Sequence, residues 1–89
     1  MNQVLVYGRP SFTDEYLIEL ISNNCKKVGL DFKFKLISEV GQFIEKDIYH
    51  IPAVEYQGEI REIKNISIKD FATEISDWLI KTESKRNLN

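Results

Sequence analysis

The chain has 89 residues, enough for one domain core and not for two, since domains ordinarily run to about 50–200 residues. Hydrophobic residues make up 43% and charged residues 29%, which excludes a disordered or collagen-like chain, and the net charge of -2 offers no basic field to nucleic acid or an anionic membrane. A single cysteine, Cys25, and a single histidine, His50, exclude an internal disulfide and the usual four-ligand Cys/His zinc site.

Val4-Leu5-Val6-Tyr7 is β-prone and apolar on both faces, the pattern of a central strand covered on two sides, and Gly8 closes it. After Gly8-Arg9-Pro10, the residues Ser11-Phe12-Thr13-Asp14 form an S-x-x-D capping box, with Ser11 or Thr13 as the cap and Asp14 and Glu15 at the positive helix end. The helix that starts there carries Leu17, Leu20, Ile21, Cys25 and Val28 at three- and four-residue steps, and Gly29 is its expected stop. Asp31–Ile37 alternates, with Phe32, Phe34 and Leu36 on one face and Lys33 and Lys35 on the other, as a half-exposed strand does. Glu39–Asp47 is read as a short helix burying Val40, Phe43 and Ile44. Beyond the loop Ile48–Pro52, Ala53–Tyr56 and Glu59–Ile63 read as two strands joined by a hairpin turn at Gln57-Gly58. Ser67 caps a last helix whose buried stripe is Ile68, Phe71, Ala72, Ile75, Trp78 and Leu79. The order β-α-β-α-β-β-α gives an α/β domain over 1–81 and a polar, flexible tail over 82–89, with a parallel first strand pair and an antiparallel second.

The longest apolar run is Val4–Tyr7, far below the ~20 residues of a bilayer span, so no membrane partner is expected. The first residues lack the basic stretch and apolar core of a secretory leader, and the unpaired thiol suits a reducing compartment, so the expected location is the cytoplasm.

The element order, together with Val6-Tyr7-Gly8-Arg9-Pro10-Ser11-Phe12-Thr13-Asp14 and with Ile51-Pro52-Ala53-Val54 at the head of the third strand, resembles the thioredoxin and glutaredoxin superfamily. It is most similar to the small single-domain redox-active disulfide proteins. The resemblance covers Gln3 to Lys81 and implies a mixed four-stranded sheet in the order 2-1-3-4 with helices on both faces, and a cis bond before Pro52. In that family a C-x-x-C pair opens the first helix; here Ser11 and Asp14 hold those two positions. Thiol–disulfide exchange needs a thiolate with a lowered pKa and a resolving thiol, and Ser11 and Asp14 provide neither. No catalytic residue, metal or cofactor is therefore expected. What the resemblance retains is the groove in which the main chain beside the cis-proline pairs with an extended peptide or with glutathione, a contact that needs no thiol. The expected binding residues are Arg9, Ser11, Phe12, Thr13, Asp14, His50, Ile51 and Pro52, and the expected partner is a protein or peptide.

Individual residues leave alternatives. Cys25 lies fourteen positions after Ser11, near the far end of the helix, and reads as a small apolar filler rather than a regulatory thiol. Ser11, Asp14 and His50 are the residue types of a hydrolase triad, but nothing in the sequence supplies an oriented base or an oxyanion hole, so His50 reads as an exposed loop histidine. Arg9 is either a carboxylate or phosphate ligand or a solvated turn residue. Phe12 either joins Tyr49, Ile51 and Tyr56 in an apolar patch or folds back as a staple on the helix. Competing functions are a glutathione-using or thiol-relay protein, and an oligomerisation module built on the Val54–Ile63 edge.

Overall fold

The computed structural model describes residues 3–87. Seven elements follow in the order β1 (Gln3–Tyr7), α1 (Phe12–Lys26), β2 (Lys33–Ile37), α2 (Val40–Glu45), β3 (Ala53–Tyr56), β4 (Glu59–Glu62) and α3 (Ile68–Asn87). The four strands form one mixed sheet in the order β2-β1-β3-β4. β1 runs parallel to β2 and antiparallel to β3, and β4 runs antiparallel to β3. The fold class and strand order expected from the sequence are those observed.

Because β1 is interior, its side chains alternate between two cores. Val4 and Val6 are fully buried with Leu17, Ile21 and Cys25 of α1 and Phe71, Ala72, Ile75 and Leu79 of α3. Tyr7 faces the other side, where it is buried with Ile48 and Ala53 and flanked by Leu5, Ile37, Phe43 and Ile60. Thus α1 and α3 share one face and α2 lies on the other. The two packed helices are joined by a polar link: Ser76 Oγ donates to Ala72 O at 2.7 Å and accepts from Asn24 Nδ2 at 3.1 Å. Each fully buried aliphatic side chain contributes roughly 1.5–3 kcal/mol, so this face carries most of the stability.

The hairpin between β3 and β4 turns on Gln57 and Gly58, both with positive φ (53° and 83°), the two-residue primed turn that matches strand twist. At the end of α1, Gly29 has φ 82°, its N–H donates to Lys26 O, and Leu30 N–H donates to Cys25 O, a Schellman stop in which Leu30 returns to the core. Val28, expected on the buried stripe, lies instead in the turn and is exposed, because the helix has already ended at Lys26. A similar difference affects α2. Its single short stretch presents only Phe43 inward, edge-on to Tyr7 with ring centroids 6.2 Å apart, so Val40 and Ile44 are exposed rather than buried.

The last helix extends to Asn87, beyond the Thr82 at which a flexible tail was expected; positions 88 and 89 lie outside the described residues. Tertiary contacts account for the extension. Tyr56 Oη donates to Glu83 Oε2 at 2.6 Å, and Tyr56 stacks edge-on with Phe32 and Trp78. Tyr56 is therefore buried at the opposite end of β3 from Pro52 and takes no part in a patch with Phe12. Among the described residues, no helix is long and apolar enough to cross a membrane.

Candidate functional site

Strand pairing brings the expected residues to one end of the sheet. Tyr7 pairs with Ile37 on one side and with Ala53 on the other, so the Gly8–Ser11 turn that follows β1 adjoins the His50–Pro52 loop that precedes β3. Gly8 N–H donates to Ile37 O at 3.0 Å and Ile63 N–H to Pro52 O at 3.1 Å, extending the ladders into both loops. In α/β sheets this end, beyond the carboxyl termini of the parallel strands, is where ligands commonly bind.

The start of α1 is built from its capping residues. Ser11 is the N-cap, with extended backbone, and its Oγ accepts from Asp14 N–H at 3.3 Å. Ser11 N–H donates to Arg9 O at 2.7 Å, closing a tight turn around Pro10. Asp14, three residues past the cap, is only 6% exposed, and its Oδ2 accepts from Arg9 N–H at 2.6 Å. The sequence suggested a reciprocal box between Ser11 and Asp14; the carboxylate instead reaches back to the main chain before the cap. Gly8 makes room for it. A Cβ at Gly8 would lie 2.5 Å from Asp14 Oδ2 and 3.0 Å from its Cγ.

The second loop is held by a residue that local sequence pattern did not single out. Glu62, at the end of β4, accepts through Oε1 from both Tyr49 N–H (2.9 Å) and His50 N–H (2.7 Å). The Ile51–Pro52 peptide bond is cis, Pro52 is buried and Ile51 is half-buried. Among the described residues, neither the N–H nor the C=O of Ile51 has a hydrogen-bond partner. Below this loop, Tyr7 Oη donates to Glu55 Oε1 at 2.5 Å, and Lys46 Nζ approaches Glu55 Oε2 at 3.6 Å. Burial, and then the bond to Glu55, push the Tyr7 phenol up to about 12. Tyr7 lies 48 positions from Glu55, and Glu62 lies 13 and 12 positions from Tyr49 and His50, so only the sheet register could have found these pairs.

The side chains at the rim are apolar and open. Phe12 is 89% exposed and Tyr49 81%, so Phe12 is not folded onto the helix as a staple. They border different hollows. Phe12 lines a shallow one of about 210 Å³ on α1, whereas Tyr49, His50 and Ile51, with Ile63 and Ile66, line one of about 560 Å³ beside the proline loop. Arg9 and Thr13 are exposed, and the imidazole of His50 makes no hydrogen bond among the described residues. Ser11, Asp14 and His50 thus form no relay: the serine oxygen and the aspartate carboxylate are both engaged with main-chain N–H groups. Cys25 is fully buried at the other end of α1, and burial pushes its thiol up to about 11. No cluster of three or more His, Cys, Asp or Glu side chains arranged to hold a metal occurs among the described residues.

No protein-family model matches the chain, and neither a curated protein nor a solved structure matches it.

Proposed function

We propose that this chain is a thioredoxin-like binding module without redox chemistry of its own, and that it holds an extended protein or peptide segment between the Gly8–Ser11 turn and the His50–Pro52 loop. The observation that carries this reading is how Ser11 and Asp14 are used. At the two positions where the family it resembles keeps its cysteines, the Ser11 Oγ caps a helix N–H and the Asp14 carboxylate holds Arg9 N–H. Neither is poised as a nucleophile, and the chain's one thiol is buried at the far end of the helix.

Binding has what it needs. Ile51 offers one donor and one acceptor between the Tyr49 and His50 N–H groups, which Glu62 holds, and the Pro52 C=O, which Ile63 N–H holds, and free main-chain groups let an extended segment add through main-chain hydrogen bonds. Tyr49 supplies apolar surface in the hollow that Ile51 also lines and Phe12 supplies more at the start of α1, and aromatic anchors of this sort carry much of the energy at interfaces. The test has two arms. In a dithiothreitol-coupled insulin assay the protein leaves the reduction at its uncatalysed rate. With ¹⁵N-labelled protein, an extended peptide selected from a displayed random library shifts the amides of Gly8–Asp14 and His50–Val54. Turnover in the first arm, or shifts confined to the exposed face of α3 in the second, overturns the proposal. Glutathione titrated in the same spectra separates the competing glutathione-using reading, which requires saturable shifts at Ile51.

A further inference from the structure

The exposed face of α1 carries a combination that neither helix formation nor core packing accounts for. Phe12 is 89% exposed and Tyr16, one turn on, is 41% exposed; with Glu15 and Glu19 they line the hollow of about 210 Å³. Aromatic rings left in water forgo the stabilisation that burial gives them. Glu15 suits the first turn of a helix, but Glu19 lies beyond the reach of the helix-end field, and two carboxylates four residues apart on one face repel each other. Among the described residues neither Glu15 nor Glu19 joins an ion pair, and the next basic residue along the helix is Lys26.

Resting on the reading of the site given above, we propose that the segment bound at this end of the sheet is basic, and that it places a lysine or arginine side chain in the α1 hollow. Such a side chain matches the lining in each part. Its alkyl stem covers apolar surface while its head stays polar, its cation is attracted to the faces of aromatic rings, and it forms charge-assisted hydrogen bonds with carboxylates. The stem lies along Phe12 and Tyr16, and the cation meets Glu15 and Glu19. α1 starts at the sheet end where the Gly8–Ser11 turn adjoins the His50–Pro52 loop, so the proposed segment runs from the main-chain groups of Ile51 to this hollow. An acidic segment is repelled there, and a neutral one gains only the rings.

Three capped six-residue peptides with valine at alternate positions and lysine, glutamine or glutamate between them test this against ¹⁵N-labelled protein. Amides of Phe12–Glu19 report the basic subsite, and those of His50–Val54 report the peptide site itself. The lysine peptide is expected to shift both sets and to bind about tenfold more tightly than the glutamine peptide at low salt, with the glutamate peptide weakest. Its advantage shrinks at about 0.5 M salt. The double substitution Glu15→Gln, Glu19→Gln lowers the lysine peptide to the level of the glutamine one. Equal shifts at His50–Val54 from all three peptides, with Phe12–Glu19 silent, overturn the basic subsite and leave the peptide site standing. Lysine-selective shifts on α1 alone do the reverse, and silence in both sets refutes both.

Discussion

Replacing Asp14 by alanine removes a single carboxylate and tests whether that side chain holds the main chain leaving β1. The carboxylate is 6% exposed and accepts Arg9 N–H at 2.6 Å. A hydrogen bond to a charged acceptor is worth about 1.5–3 kcal/mol, and a negative charge in the first turn of a helix adds about 0.3–1 kcal/mol, so the expected loss is about 2–4 kcal/mol. A domain of this length is stable by about 4–13 kcal/mol, so the loss is a large share of the whole. With a urea slope of about 1.5 kcal/mol per molar, the unfolding midpoint falls by about 1.3–2.7 M with the slope unchanged. Exposed Glu15 on the same turn is the control, and Glu15→Ala costs at most the dipole contribution, because it also relieves the repulsion from Glu19. Gly8 makes the argument sharper. Gly8→Ala drives a methyl into Asp14 Oδ2 and is costly in the natural chain, but in the Asp14→Ala background the clashing atom is gone and the cost falls by about 1 kcal/mol or more. If Asp14→Ala costs no more than Glu15→Ala, or if Gly8→Ala is equally costly in both backgrounds, the carboxylate does not hold the turn and the reasoning fails.

Two further outcomes follow from other buried or bridging groups. Cys25 and Tyr7 both titrate later in the folded chain than in the unfolded one, from 9.0 to about 11 and from 10.0 to about 12, so above pH 9 the unfolded state releases protons that the folded state keeps. Stability therefore falls as pH rises, over about 9–11 for Cys25 and 10–12 for Tyr7, by roughly 2–3 kcal/mol each; urea midpoints against pH check this, and Cys25→Ala and Tyr7→Phe each flatten their own window. Glu62→Ala releases two N–H groups at once; it lowers stability by only about 1 kcal/mol because the bonds are exposed, but speeds amide exchange at Tyr49 and His50 well beyond that at Val54, and equal rates before and after would show that Glu62 does not hold the loop.

The sequence and the structure agree most where a pattern is local and repeated. The two-sided run of β1, the alternation of Phe32, Phe34 and Leu36, and the steps Leu17, Ile21, Cys25 each signal a period that only one element type satisfies. Agreement fails where a few residues decide an end. Val28 lies two residues past the end of α1, and Val40 and Ile44 have the right spacing on a helix too short to bury more than Phe43. The extension of α3 depends on the bond from Tyr56 to Glu83, 27 residues away, which no window along the chain contains. At the site, the capping role of Ser11 was legible because it is set by the three residues that follow it. The acceptor role of Asp14 toward Arg9, and that of Glu62 toward Tyr49 and His50, were not, because each depends on how a loop returns over a neighbouring element.

Those two carboxylates act in the same way, and that bears on what the site can do. Asp14, on a regular helix, fixes the main chain leaving β1; Glu62, on a regular strand, fixes the main chain entering β3. Each spends an acidic side chain on a loop N–H group, so both loops are held before any partner arrives, with Phe12 and Tyr49 already turned outward. Ordering an interface side chain or loop on binding costs about 0.5–1.5 kcal/mol per immobilised group, and a rim fixed in advance avoids part of that loss. A redox site has a different requirement, since its helix-start residues must be free to exchange covalent bonds with a substrate. Ser11 and Asp14 are committed to main-chain N–H groups instead, and a rim held in this way suits the proposed binding of an extended segment.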